Sequence, residues 1–157
     1  MSHATRLSVT LTREYDAPIE LVYAAWTDAA HVSQWMKCDD AAVLECTKWE
    51  PKVGATYETT MEMPGMWKVR NTGRFTEVDP PRLLVYVSDP TAEPQMPEME
   101  VRVELEAIDG GRTRLTLTHS GMPSEDLCGT IEGGWTHSLE ALVERFPAAD
   151  FGESRTV

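Results

Sequence analysis

Residues 99–119 read Met99-Glu-Val-Arg-Val-Glu-Leu-Glu-Ala-Ile-Asp-Gly-Gly-Arg-Thr-Arg-Leu-Thr-Leu-Thr-His119. Apolar and polar residues alternate on both sides of Asp109-Gly110-Gly111, and this two-residue period is typical of strands that bury one face. The Asp-Gly-Gly run between the two halves predicts a tight hairpin turn. The stretch therefore predicts an antiparallel hairpin whose one face, including His119, points into a core.

The same two-residue period recurs elsewhere in the chain. It is found in four other segments, which are residues 7–15, 43–49, 55–63 and 67–75, and residues 83–88 are predicted to form a further strand. Pro64-Gly65 and Asp79-Pro80-Pro81 predict turns between neighbouring strands. Residues 89–98 contain three prolines and no period, so they predict an irregular loop without a strand ladder.

Helical periods occupy two regions. After the first strand, Asp16 is a candidate helix cap and Pro18 suits a first helical turn. Asp28 is a candidate cap for a second short helix that runs to Trp35. Pro147 predicts the end of a long C-terminal helix. In that helix, apolar residues recur at spacings of three and four, at Ile131, Trp135, Leu139, Leu142, Val143 and Phe146.

The order of these elements predicts the fold class α+β. We expect a curved antiparallel sheet of six to seven strands that wraps around the long C-terminal helix, with two short helices after the first strand. At 157 residues, the chain is long enough for one domain with a full core. We expect this domain to span residues 1–150 and residues 151–157 to form a flexible tail.

Charge and composition exclude several classes of protein. The chain has 14 Lys and Arg against 26 Asp and Glu, and this net charge of −12 disfavours nucleic acid as a partner. No apolar run approaches the ~18 residues that a spanning helix needs, so we expect no membrane insertion. The N-terminus lacks an apolar signal core, which predicts a cytoplasmic protein. The sequence contains no Cys-x-x-Cys, His-x-x-x-His or glycine-rich nucleotide motif, so we expect neither metal nor cofactor.

Several local motifs, in this order along the chain, resemble one superfamily of small domains. They are Arg13-Glu-Tyr-Asp-Ala-Pro18, Val22-Tyr-Ala-Ala-Trp-Thr-Asp28, Gln34-Trp35, Gly73-Arg-Phe-Thr-Glu-Val-Asp-Pro80, Thr113-Arg-Leu-Thr-Leu-Thr-His-Ser-Gly121 and Gly134-Trp135. Together they resemble the START and birch-pollen-allergen-like (SRPBCC) superfamily. Within it, the chain is similar to the family named for the C-terminal domain of the heat-shock-protein-90 ATPase activator. The resemblance implies a helix-grip fold with a cavity between the sheet and the C-terminal helix.

The chain departs from this family where the cavity mouth is expected. The family usually has a second aromatic residue and then Gly-Pro after the tryptophan, whereas Met36-Lys37-Cys38-Asp39 follows Trp35 here. The resemblance and the strand phase together predict the residues that line the cavity. These are Trp35, Met36, Tyr57, Met61, Met63, Trp67, Asn71, Met99, His119, Ile131, Trp135 and Leu139. The alternative interpretation is that the same side chains only fill a core.

His119 is the polar residue with the most alternatives. It is in phase with Leu115 and Leu117, so we expect it to be buried and neutral at pH 7. A structural hydrogen-bonding role is our first interpretation, orientation of a ligand the second, and general-base catalysis the third. Asn71 offers two roles, since it could orient a ligand carbonyl or satisfy the backbone beside Gly73.

Three functions are consistent with the sequence. The first is a small soluble protein that binds a small hydrophobic ligand, with no catalytic residue assigned. The alternative is an enzyme of the cyclase, dehydratase or hydrolase type, which would need His119 to meet an acid or base such as Tyr57 or Asp39. The third is a stress- or chaperone-related interaction protein that uses its acidic surface. A homodimer is compatible with each of them.

Overall fold

The computed structural model describes residues 7–92 and 95–146, so the predicted tail at 151–157 lies outside the described residues. Three helices and nine strands are present in this part of the chain. They are β1 (Leu7–Tyr15), α1 (Ile19–Thr27), α2 (Ala29–Trp35), β2 (Val43–Lys48), β3 (Thr56–Met63), β4 (Trp67–Asp79), β5 (Leu83–Ser88), β6 (Thr91–Ala92), β7 (Gln95–Met96), β8 (Met99–Ile108), β9 (Arg112–Met122) and α3 (Glu125–Val143).

Seven of the strands form one curved antiparallel sheet in the order β1-β9-β8-β5-β4-β3-β2. The predicted hairpin pairs β8 with β9, and Leu105 lies opposite Leu115. Helix α3 packs against β1 and β9, and α2 contacts both β2 and α3. This arrangement confirms the α+β helix-grip fold, with two short helices after the first strand and a long C-terminal helix.

Two local predictions were wrong. Residues 89–98 contain a short ladder, since Thr91 pairs with Met96 and Ala92 with Gln95, and none of these four residues is a proline. Helix α1 begins after Pro18 with no side-chain cap, so Asp16 does not cap it. Helix α3 ends at Val143, and tighter three-residue turns continue over residues 144–146, close to the predicted end at Pro147.

Two other predicted signals have the expected geometry. Asp28 caps α2, because its Oδ1 accepts a 2.9 Å hydrogen bond from the backbone N–H of Ala30. Gly65, in the turn between β3 and β4, has a φ of 79°, which glycine adopts at little cost. The structure adds a cap that was not predicted, because the Ser124 hydroxyl accepts a hydrogen bond from the backbone N–H of Leu127 at the start of α3.

The core lies at one end of the sheet, under the C-terminal half of α3. The Tyr15 hydroxyl donates a 2.9 Å hydrogen bond to the backbone carbonyl of Leu139, and this bond ties β1 to the helix. Trp26 and Trp35 pack edge to face nearby, with ring centroids 4.7 Å apart. The other end of the sheet, under the N-terminal half of α3, encloses the cavity.

Candidate functional site

A cavity of about 580 Å³ lies between α3 and the concave face of the sheet. Its floor comes from β2, β3, β4, β5, β8 and β9, its side from the residues after α2, and its roof from residues 130–138 of α3. The wall is mainly apolar and rich in methionine, a side chain that adapts its shape to a neighbour. The methionines on this wall are Met36, Met61, Met96 and Met99.

The structure places eight of the twelve predicted lining residues on this cavity. They are Met36, Tyr57, Met61, Asn71, Met99, His119, Ile131 and Trp135. Asn71 is exposed, so it belongs to the rim rather than to the inner wall. The strand phase of β3 and β9 therefore gives the correct face for Tyr57 and His119.

The four remaining predicted residues lie outside the cavity. Trp35 is fully buried in the core, where its indole Nε1 donates a 2.9 Å hydrogen bond to the carbonyl of Ala25. Leu139 is also fully buried in the core, one turn along α3 from the roof. Met63 and Trp67 pair across the end of the β3–β4 hairpin, and Trp67 is 39% exposed.

Two aromatic residues of the inner wall were not predicted from the sequence. Trp49 follows β2, and its ring centroid lies 5.2 Å from that of Tyr57 and 5.3 Å from that of Tyr86. Its indole Nε1 is anchored on the carbonyl of Trp26 at 2.8 Å. Tyr86 lies in β5, whose residues 83–87 are all buried, so this strand has no alternation that could have distinguished its inner face.

His119 is held by a residue from the roof. Trp135 Nε1 donates a 2.9 Å hydrogen bond to His119 Nδ1, and burial lowers the pKa of the imidazole to about 4. The ring is therefore neutral at pH 7. Because Nδ1 accepts this bond, the proton of the neutral ring is on Nε2. Nε2 is buried and has no hydrogen-bond partner in the described part of the chain.

This tautomer determines what His119 can do to a bound molecule. Its Nε2–H can donate a hydrogen bond, but the lone pair that a general base needs is already occupied by Trp135. The carboxylate of Asp39 is not on the cavity wall, and its Oδ1 accepts from the backbone N–H of Ala41 instead. Burial raises the pKa of Tyr57, so the phenol stays protonated. The acid–base pairs considered from the sequence are therefore not assembled.

Charged groups are confined to the rim of the cavity. Lys68, Arg70 and Asp89 are exposed, and Arg70 Nε forms a 2.8 Å ion pair with Glu58 outside the cavity. The Asp89 carboxylate accepts a 2.8 Å hydrogen bond from the Thr72 hydroxyl. The inner wall that the described residues form thus carries neutral polar groups among apolar ones.

The segment after α2, at the side of the cavity, is fastened to the roof by two contacts. The Ser138 hydroxyl donates a 2.7 Å hydrogen bond to the carbonyl of Lys37. His137 Nε2 lies 3.0 Å from Asp40 Oδ1. The Cys38 thiol, on the same segment, contacts Met61 Sδ at 3.6 Å, and burial raises its pKa, which makes it a poor nucleophile.

The described residues form neither a metal-binding cluster nor a membrane-spanning helix. Within residues 7–92 and 95–146, no cluster of three or more His, Cys, Asp or Glu side chains could hold a metal ion. Among the three helices of the same ranges, none combines the length and apolar character required to cross a membrane.

A curved antiparallel sheet that grips a C-terminal helix around a cavity defines a helix-grip domain of the START (SRPBCC) superfamily. Comparison with protein families identifies the family within it. The chain belongs to the family described as Activator of Hsp90 ATPase homolog 1-like protein, which matches residues 16–146.

Solved structures with the same fold come from several bacteria. A protein from Chromobacterium violaceum is 23% identical, with a TM-score of 0.77 over 87% of this chain and 95% of that one. A protein from Rhodobacter sphaeroides is 23% identical, with a TM-score of 0.76 over 94% and 95%. The AHSA1 protein from Silicibacter pomeroyi is 21% identical, with a TM-score of 0.74 over 88% and 96%. No curated protein sequence matches the chain.

Proposed function

We propose that the protein binds a small, neutral, largely apolar molecule in the cavity, and that His119 orients this molecule. The observation that carries the proposal is that His119, a residue of the cavity wall, has a buried Nε2–H with no partner among the described residues. Leaving a buried donor unpaired costs about 1–3 kcal/mol. A ligand with a hydrogen-bond acceptor removes this cost.

Cavity size and charge support a neutral ligand. A volume of about 580 Å³ is in the range of sites for small molecules. The charged lining residues are at the rim, whereas burial of an ion without a partner is strongly unfavourable. The family commonly binds hydrophobic ligands, which agrees with an apolar wall. A cytoplasmic location and a homodimer remain predictions.

The eight predicted residues on the cavity are the proposed ligand contacts, together with Trp49 and Tyr86. Trp35, Met63, Trp67 and Leu139 are not part of this proposal, because they lie in the core or at the hairpin tip. An enzymatic role needs a base beside the ligand, and the tautomer of His119 gives this role no support.

A pair of fluorescent probes tests this function. The first is propionyl-dimethylaminonaphthalene, a neutral ketone, and the second is its propyl analogue, which lacks the carbonyl. We expect both probes to gain fluorescence in the folded protein and the ketone to bind about ten-fold more tightly, the effect of one buried hydrogen bond. His119→Gln retains a donor and should keep part of this preference. His119→Met should lose it.

Controls separate binding from folding. Trp67→Leu changes an aromatic residue outside the cavity and should bind both probes as the wild type does. Thermal unfolding of each variant establishes that it is folded at the assay temperature. If neither probe enters the folded wild-type protein, the binding function is wrong. If both enter with equal affinity, His119 does not orient the ligand.

A further inference from the structure

The geometry points to a ligand with two hydrogen-bond acceptors, one at each end, of which the first meets His119 and the second meets the hydroxyls of Tyr57 and Tyr86. This inference rests on the proposed function and specifies its ligand. It defines a chemical class, namely elongated neutral molecules with a carbonyl or ether oxygen at both ends and an apolar body between them.

The four tyrosines of the chain divide into two pairs. Tyr15 and Tyr23 lie outside the cavity, and their hydroxyls donate to the backbone carbonyls of Leu139 at 2.9 Å and Leu83 at 3.0 Å. Tyr57 and Tyr86 line the cavity, and neither hydroxyl hydrogen-bonds to another residue that the structure describes. Both side chains are buried, with 5% and 6% exposure. Neither hydroxyl oxygen is among the fully buried unpaired atoms of the described residues, so both are open to a partner from outside the chain.

Tyr57 and Tyr86 form one polar end. Their ring centroids are 5.4 Å apart and their planes are nearly perpendicular, at 82°. Burial raises the pKa of both phenols, and the neighbouring Tyr57 raises that of Tyr86 further. Both hydroxyls therefore keep their protons and can donate. We call these two hydroxyls the phenol end of the cavity.

The sheet register gives the spacing of the backbones that carry Tyr86 and His119. Val101 in β8 lies opposite Tyr86 on one side and opposite His119 on the other. Tyr86 and His119 are therefore two strand spacings apart, about 10 Å between their Cα atoms. Val101 and Met99 contribute apolar surface to the floor between them. The proposed ligand has two linked rings between its two acceptors.

A series of biphenyls with substituents at both para positions tests the inference. The three probes are diethylbiphenyl, acetyl-ethylbiphenyl and diacetylbiphenyl, which share one carbon skeleton and differ by carbonyl oxygens alone. Affinity is measured by displacement of N-phenyl-naphthylamine from the cavity. Each added carbonyl should tighten binding to the wild type by about three- to ten-fold, the net effect of one neutral hydrogen bond.

Variants show which end of the cavity is responsible for each gain in affinity. In the double variant Tyr57→Phe with Tyr86→Phe, the first carbonyl should still improve binding and the second should add nothing. In His119→Met, one of the two gains should again be lost. Tyr15→Phe removes a hydroxyl that the chain itself satisfies, so it should retain both gains.

The outcomes separate this inference from the proposed function. If diethylbiphenyl binds and neither carbonyl improves affinity, the cavity binds apolar molecules but the two-ended inference is wrong. If the tyrosine double variant retains the gain from the second carbonyl, the phenol end is not the second anchor. If no probe displaces N-phenyl-naphthylamine, or if that dye itself does not bind, both proposals fail.

Discussion

The indole Nε1 of Trp135 in α3 lies 2.9 Å from Nδ1 of His119 in β9, and the hydrogen bond between them joins the roof of the cavity to its floor. Because the indole is a donor only, the imidazole nitrogen must accept. The helix therefore determines which imidazole nitrogen carries the proton, and thereby which chemistry His119 offers to a ligand.

Stability should depend on pH through His119. Burial lowers its pKa from 6.5 to about 4 in the folded protein. Between these two pH values, the imidazole is mostly protonated in the unfolded chain and mostly neutral in the folded one. Stability is full above pH 6.5 and falls as the pH drops towards 4, by up to about 3 kcal/mol. Urea unfolding across this range should show a shallower fall for His119→Gln than for the wild type. Equal slopes would contradict a depressed pKa.

Removing the indole N–H of Trp135 should allow the proton of the neutral His119 ring to occupy either nitrogen. Trp135→Phe keeps an aromatic ring beside Trp26, whose ring centroid is 5.8 Å from that of Trp135, but leaves Nδ1 without its donor. We expect a loss of about 1–3 kcal/mol in unfolding free energy. Nitrogen NMR shifts of the imidazole should indicate a single Nε2–H tautomer in the wild type and a mixture in the variant. A single unchanged tautomer would show that another contact fixes the ring. Trp67→Phe, at the exposed hairpin tip, is the control.

Gly73 should not tolerate a methyl group. A Cβ at this position would lie 2.0 Å from the carbonyl oxygen of Val87 and 2.6 Å from the Tyr57 hydroxyl. Gly73→Ala should therefore destabilise the protein by at least about 1–3 kcal/mol, because backbone must move. Gly129 in α3 has open space around it, and Gly129→Ala should stabilise by roughly 0.5–1 kcal/mol. Chemical denaturation should show a lower free energy of unfolding for Gly73→Ala and a higher one for Gly129→Ala.

Loss of a hydroxyl should have different effects inside and outside the cavity. Tyr15→Phe removes a hydrogen bond to Leu139 and should cost about 1 kcal/mol. Tyr86→Phe removes no hydrogen bond to a described residue, so the stability of the ligand-free protein should be unchanged or slightly higher. Thermal unfolding without ligand measures this difference. An equal loss of stability in both variants would mean that the Tyr86 hydroxyl already has a hydrogen-bond partner in the ligand-free protein.

The sequence predicts which face of a strand is inside better than how far along that face the cavity extends. Alternation correctly turns His119 inwards, where it is 8% exposed. The same alternation assigns Met63 and Trp67 to the inner face, but these residues pair at the end of the β3–β4 hairpin and do not line the cavity. A period of two contains no information about depth, which depends on where the opposing helix begins and ends.

Helical spacing likewise predicts which face of a helix is inside but not where along that face the cavity ends. Trp135 and Leu139 are four residues apart on one stripe of α3, yet the first faces the cavity and the second the packed core. The boundary between them is set by large side chains from other elements, such as Tyr15 and Trp35. The unpaired hydroxyl of Tyr86 is likewise invisible in the sequence, since it depends on what the neighbouring strands leave unfilled.

The strand order has a consequence for synthesis of the chain. β1 leaves the ribosome before the other described strands of the sheet, but among these strands it pairs only with β9, which comes last, and the register joins Leu11 to Leu117. Helix α3 follows β9. Until residues 130–138 emerge, the methionine-rich wall has no roof and is open to other nascent chains, so a chain interrupted before Ser124 should be prone to aggregation. The residues that make this surface useful in the finished protein are a liability until the final helix is in place.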